Sequence, residues 1–300
     1  MNSHYLALSS LITLFFFLTI LPPSYCDDER FVECSYPFDC GMIKNISYPF
    51  LSDNRPAYCG REGFMLLCYD DQYPIIMFGN LGFHVLNINK SHHIMTIKRL
   101  DLGDNPCPLT FVINTTLDFY NFDYYPPNDI NMTLFYGCPS GVSGLDKASF
   151  PCSLGAVDPR HNTAYFVNES FNNTPKLLKE CHTNIKVPIL RTALINESEG
   201  GVKALQNVLN QGFDVDYSNA WSFFCPKCEA SGGICGSNSF QHPFVCFCRD
   251  GDQPLACSSN GMHARFSSHF WIRLKHIFLV LCLVFLVHSF LFLAIVHKMS

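Results

Sequence analysis

From Cys34 to about Cys138 the chain runs in short apolar stretches rich in Phe, Tyr, Ile and Val, broken at close intervals by Gly, Pro, Asn or Asp. Such runs bounded by turn residues predict a mainly β fold built from short strands. Strands are expected at Gly63 to Tyr69, Ile75 to Phe78, Phe83 to Ile88, Ile94 to Leu100 and Leu109 to Asn114. Asp70-Asp71, Gly79-Asn80, Asn89-Lys90 and Asp104-Asn105-Pro106 supply the turns between them. Asp118 to Asp129 reads as an aromatic loop, because Pro126-Pro127 cannot donate to a central ladder. Cys138 to Cys181 is patterned more weakly and reads as exposed loops stapled by cysteines. One helix is predicted at about Glu199 to Gln211, where Val202, Leu205, Val208 and Leu209 share a face and Gly212 provides the stop. Beyond it, Phe213 to Phe224 returns to alternation and leads into a dense cysteine cluster.

Two longer apolar blocks sit at the ends. Leu11 to Leu21 is short for a span and is followed by small residues at Ser24 and Cys26, which predicts a signal peptide over residues 1–26, cut before Asp27. Ile277 to Val296 is interrupted only by His288 and Ser289 and is long enough to cross a bilayer as a terminal hydrophobic helix. Arg265, Arg273 and Lys275 precede it, on the side a cleaved signal would leave outside. Ser258 to Gly261, a spacer and the apolar tail also have the layout of a glycolipid-anchor signal. A single-pass membrane span after a juxtamembrane spacer at 258–276 is the expectation, with the lipid anchor as its alternative.

Composition then fixes the compartment. Of sixteen cysteines, fourteen lie between Cys34 and Cys257, an even number that suits disulfides in an oxidising environment. Asn45, Asn89, Asn114, Asn131, Asn168, Asn172 and Asn196 each begin an N-glycosylation sequon. All 25 Asp and Glu lie between Asp27 and Asp252, against 16 of the 20 Lys and Arg, so this region is acidic and unsuited to nucleic acid. No phosphate-cradling loop, His-Glu-x-x-His pair or Gly-x-Ser-x-Gly elbow occurs. His92-His93, Asp70-Asp71 and Asp214-x-Asp216 are read as turn chemistry or solvated strand edges, and neither catalytic residue, metal nor cofactor is expected.

Three groups of residues carry a family resemblance. Cys34-Ser-Tyr-Pro-Phe-Asp-Cys40-Gly41, Ile46-Ser-Tyr48-Pro49-Phe50, Tyr58-Cys59-Gly60, Leu67-Cys68, Arg99-Leu-Asp101 and Cys107-Pro108 resemble the galacturonan-binding domain of plant wall-associated receptor kinases. Gly212-Phe213, Trp221, Cys225-x-x-Cys228, Ser231-Gly-Gly233, Cys235-Gly236, Phe244-x-Cys246-x-Cys248 and Gly251 resemble the cysteine-rich domain that follows it, also found in the leaf-rust-resistance type of receptor-like kinase. The last six cysteines further resemble an EGF-like module, which implies pairing Cys225 with Cys235, Cys228 with Cys246 and Cys248 with Cys257. Trp221-Ser-Phe-Phe224 stands where calcium-binding modules carry acids, so no calcium site is expected there. The family's kinase motifs are absent from these residues.

The resemblance implies a galacturonan-binding-like β domain at 27–145, a C-terminal cysteine-rich domain at 146–257, and pectin binding at the extracellular face of the plasma membrane. Arg55, Arg61, Lys98 and Arg99 are the candidate carboxylate partners, with Tyr48 and Tyr58 as sugar-stacking faces. The alternative is a protein-binding co-receptor or decoy whose partners are related receptor kinases.

Overall fold

The computed structural model describes residues 27–103, 105–107, 113–152, 160–169, 175–193, 200–221, 224–238, 242–258, 276–277 and 280. The predicted signal peptide, the sequons at Asn172 and Asn196, and nearly all of the apolar tail lie outside them. Among the described residues no helix is long and apolar enough to cross a membrane.

Helix α1 (Glu29–Ser35) begins at Asp28, whose carboxylate accepts the amides of Arg30 and Phe31 at 3.0 and 3.4 Å. A hairpin of β1 (Phe38–Cys40) and β2 (Ile43–Ile46) follows. Then come β3 (Leu51–Ser52), β4 (Met65–Leu67), β5 (Ile75–Phe78), β6 (Leu81–Asn89), β7 (Ile94–Arg99), a helical turn α2 (Leu100–Gly103) and the short β8 (Asp123–Tyr124). The second half holds β9 (Asp129–Cys138), β10 (Ser149–Pro151), β11 (Thr163–Asn168), β12 (Thr183–Leu190), α3 (Gly201–Gln211), β13 (Phe213–Asp216) and α4 (Ser218–Trp221). Helix α5 (Cys225–Ala230) and strands β14 (Ile234–Asn238), β15 (His242–Cys248) and β16 (Gly251–Gln253) complete the cysteine-rich end.

Two sheets organise the fold. The larger runs β3-β4-β5-β6-β7-β13-β8, and the smaller runs β10-β11-β9-β12. Elements from both sides of residue 145 therefore share each sheet. Strand β13 slots between β7 and β8, pairing Phe213 with Ile97 and Val215 with both Met95 and Tyr124. The disulfides Cys107–Cys152 and Cys138–Cys181 cross the same line.

The predicted strands at 75–78, 83–88 and 94–100 form with small shifts of their ends, and that at 63–69 contracts to Met65–Leu67. Of the predicted Leu109 to Asn114 strand, residues 109–112 lie outside the described set, and Ile113 and Asn114 are not in a strand. The main departure is the smaller sheet: β10 and β11 occupy the Cys138 to Cys181 stretch, which reads as loops, while β9 and β12 form where no individual strand is expected. In β9, Met132, Leu134 and Tyr136 face the core while Phe135 is apolar on the opposite face, which blurs the period-two signal.

Helix α3 forms as its periodicity predicts. Leu205, Val208 and Leu209 pack against Met132, Leu134, Ile185 and Val187 of the smaller sheet. Gly212 ends it at φ +74, where a Cβ would stand 2.3 Å from the Ile97 carbonyl oxygen, so both the stop and the entry into β13 require glycine. Truncating Leu205, which is fully buried, would cost on the order of 2–5 kcal/mol.

All fourteen described cysteines are bonded. Cys34–Cys59 and Cys40–Cys68 hold the N-terminal elements, while Cys225–Cys235, Cys228–Cys246 and Cys248–Cys257 form the pairs that the EGF-like resemblance implies. The groups of cysteine and Glu229 that lie close enough to hold a metal have every sulfur already in a disulfide. The N-terminal helix meets the cysteine-rich sheet: Phe31, Cys34 and Cys59 share a core with Val245 and Phe247.

Candidate polysaccharide-binding site

The six candidate side chains do not converge on one surface. Arg55 turns inward, donating to the carbonyls of Tyr36 (2.5 Å) and Cys34 (3.5 Å) with its guanidinium 5.0 Å above the Phe38 ring. Burial holds its pKa below the usual arginine value. Tyr58 donates its hydroxyl to the Glu33 carboxylate and packs edge-on to Phe247, with ring centroids 5.8 Å apart. That hydrogen bond, with burial and the charges of Glu33 and Glu29, pushes its pKa up to about 12. Arg55 and Tyr58 thus brace the loop before Cys59 against the first helix and the cysteine-rich end.

Lys98 and Arg99 lie at the end of β7, away from that loop. Lys98 donates to Asn210 Oδ1 on α3 at 3.0 Å. Arg99 is only 3% exposed, because the alternation that buries Met95 and Ile97 carries it to the same inner face. Its guanidinium donates from Nε and Nη2 to the Asp101 carboxylate at 2.9 and 2.6 Å, and from Nη1 to Ile113 O and Thr115 Oγ1 at 2.8 and 3.2 Å. Such a fork, closed inside the protein, has no donor face to offer a polymer.

Arg61 is the exception. It is half-buried, and its guanidinium lies 5.6 Å from the centroid of Tyr120, whose ring is 73% exposed. On its other side is Tyr48, only 8% exposed, which packs edge-on to Phe244. Burial raises the Tyr48 pKa and the neighbouring Arg61 charge lowers it. Tyr48 is therefore a wall behind Arg61 rather than a face for a sugar ring.

Tyr120 is held out by local chemistry. Asp118 accepts the Tyr120 amide at 3.2 Å and the Asn121 side-chain amide at 2.7 Å, and its carbonyl accepts the amides of Asn121 and Phe122. Phe122 is fully buried between Phe64 and Phe78, at centroid distances of 4.5 and 4.8 Å, and anchors the turn in the core. Gly63, at φ +88, lets Asn121 pack across it, since a Cβ would lie 2.6 Å from Asn121 Nδ2. Sequence reasoning identified this stretch as aromatic and loop-like but gave Tyr120 no role. Its position beside the core-anchoring Phe122 and an Asx-type turn was the available signal.

A constrained arginine stacked on an exposed tyrosine can pair with a carboxylate while the ring receives the apolar face of a sugar. The comparisons bear on which sugar that would be. Residues 23–99 match the family described as wall-associated receptor kinase galacturonan-binding, and residues 152–251 match wall-associated receptor kinase C-terminal. The chain carries both ectodomain modules of the wall-associated receptor kinase family. It is 25% identical over 257 residues to the leaf rust 10 disease-resistance locus receptor-like protein kinase-like 2.1 of Arabidopsis thaliana, covering 83% of this chain and 39% of the relative. The Arabidopsis thaliana kinase-like 1.2 and 2.4 proteins of the same series are each 28% identical over 259 residues, covering 83% and 85% of this chain and 37% and 39% of the relatives. The chain spans about two fifths of the length of these curated relatives, and the matches fall on their non-kinase part. No solved structure matches. Both family matches and these relatives are of receptor-kinase type, and the chain resembles their ectodomain portion.

Proposed function

We propose that the chain binds pectic galacturonan at the plant cell surface, with Arg61 and Tyr120 as the contact pair. The observation that carries this reading is the stacked, solvent-facing Arg61–Tyr120 pair, formed by a residue of the galacturonan-binding match and a loop that folds onto it. A net acidic surface repels a polyanion, so binding must rely on locally placed cations and fall with added salt. Attachment through Ile277 to Val296, as a single span or through a lipid anchor, would keep the site at the wall-facing side of the membrane.

The test is retention of the full chain on immobilised de-esterified galacturonan compared with the fully methyl-esterified polymer, which lacks the carboxylates. Retention on the first alone supports the reading, and equal retention on both or on neither removes it. A second reading, pairing with a related receptor ectodomain, draws on the exposed Met65, Leu67 and Met77 of the larger sheet. It would gain from retention on related ectodomains in the absence of polysaccharide.

A further inference from the structure

A groove of about 650 Å³ opens along the edge of the smaller sheet, outside the galacturonan-binding match. Asn114, Phe119, Tyr124, Asn131, Lys186 and Arg191 are among its walls. Two of these, Asn114 and Asn131, begin sequons. Their side chains are placed differently. Asn131 Nδ2 donates to Glu169 Oε1 at 2.7 Å. Asn114 instead commits its oxygen: Oδ1 accepts the Lys186 amide at 2.9 Å, and the Thr115 amide donates back to the Lys186 carbonyl at 3.1 Å. This two-point clasp covers the free edge of β12 and fixes the Asn114 amide. Among the described residues its nitrogen, the atom that a glycan would occupy, has no hydrogen-bond partner.

Beside that nitrogen stands unusual apolar exposure. Ile113 is 49% and Phe119 61% exposed, and Phe119 packs edge-on to Tyr124 at a centroid distance of 5.8 Å. Tyr124 donates its hydroxyl to the Thr115 carbonyl at 2.8 Å, which locks its ring to the middle of the sequon. A concave surface with aromatic walls and polar groups between them suits a pyranose ring, which is apolar on its faces and polar around its rim.

We propose that this groove seats the chain's own carbohydrate: the first sugar of an N-glycan on Asn114 lies in it, against Phe119 and Tyr124. The linkage forms when Asn114 Nδ2 displaces the pyrophosphate of a lipid-linked oligosaccharide in the secretory compartment. One carbon–nitrogen bond forms, the sugar–phosphate bond breaks, and the amide gives up one proton, with no change in oxidation state. Asn114 Oδ1 remains an acceptor for Lys186 afterwards, so clasp and glycan coexist. This inference rests on secretion of the chain and is independent of galacturonan binding at Arg61.

The test uses the full chain from a glycosylating eukaryotic host. Thr116→Ala removes the acceptor sequence while keeping Asn114 and its bond to Lys186. Glycopeptide mapping is expected to find Asn114 occupied, and Thr116→Ala to lower the Tm by roughly 2–4 °C. Trimming the wild type to single N-acetylglucosamine stubs should leave the Tm unchanged. Phe119→Ala should lower the Tm by a similar amount and add nothing in the Thr116→Ala background. If Thr116→Ala is not secreted, complete enzymatic deglycosylation of folded wild type and Phe119→Ala gives the same comparison, with loss expected in the first alone. An unmodified Asn114, an unchanged Tm on full glycan removal, or additive effects of the two substitutions would overturn the proposal.

Discussion

Two regions handle charge in opposite ways. Where the two sheets meet, Arg99, Asp129 and Asp214 are all buried, and their partners are protein groups. At the loop carrying Tyr120, Arg61 rests on a ring that faces solvent. Both arginines lie in sequence that resembles a polysaccharide-binding domain, yet one holds the fold together and the other is presented. Residue type does not separate these roles. The face of the element on which each residue sits does: Arg99 is carried inward beside Asp101, and Arg61 lies against the exposed Tyr120 ring.

The sharpest way to break this contrast is Arg99→Met, which would orphan Asp101, the Ile113 carbonyl and the Thr115 hydroxyl in one step. The Asp101 carboxylate is 41% exposed and re-solvates, so the cost is that of the lost charged hydrogen bonds and the stranded Thr115 hydroxyl, about 2–3 kcal/mol, which should show as a clear fall in denaturation midpoint. A midpoint at wild-type level would show that the buried fork is dispensable.

Next in size is the pH dependence of the same interior. Asp129 accepts the Asp214 amide at 3.1 Å, and burial, with the Asp214 charge adding, pushes its pKa up to about 7. The folded state therefore holds a proton that the unfolded chain has lost, and stability falls as pH rises from about 4 towards 7. Asp129→Asn imitates the protonated form and should flatten that slope, raising stability at pH 7.5 by roughly 2 kcal/mol while leaving it near wild type at pH 4. Denaturant titrations at the two pH values check this, and parallel profiles for both proteins would contradict it.

At the surface the expected effects are smaller. Arg61→Ala should weaken galacturonan binding roughly tenfold, equivalent to about 1.4 kcal/mol, with a small fall in the unfolding midpoint because the buried Tyr48 hydroxyl loses its Arg61 hydrogen bond. Tyr120→Leu, which keeps bulk but removes the ring, should weaken it by about threefold, read by calorimetric titration with galacturonan oligomers. A loss larger than that of Arg61→Ala would make stacking rather than charge the leading contact.

The disulfide-bonded end was the most legible part of the chain, because the resemblance of its last six cysteines to an EGF-like module implied the three pairs that form. Helix α3 was legible for a similar reason: Val202, Leu205, Val208 and Leu209 display their period within one segment. Strand β13 carried its own alternation but no indication of its partners, since Phe213 pairs with Ile97 more than a hundred residues away. The smaller sheet was only partly legible: β10 and β11 lie in the weakly patterned, sequon-bearing stretch after Cys138, whereas β9 falls within the region that reads as β, where Ile130, Met132, Leu134 and Tyr136 alternate. Arg99 could have been placed inside from sequence, as it continues the inward set Met95 and Ile97. Tyr120 could not have been paired with Arg61, because the contact depends on the Asn121–Gly63 approach, a tertiary feature.

The central claim is that a local cation, on an otherwise acidic surface, captures an acidic polysaccharide. It is tested most directly by measuring the affinity of the full chain for de-esterified galacturonan oligomers across a salt series, with wild type beside Arg61→Ala. The account predicts that wild-type affinity falls with salt and that the variant is weaker at low salt, the gap narrowing as salt is raised. Superimposable curves for the two proteins at low salt would contradict it.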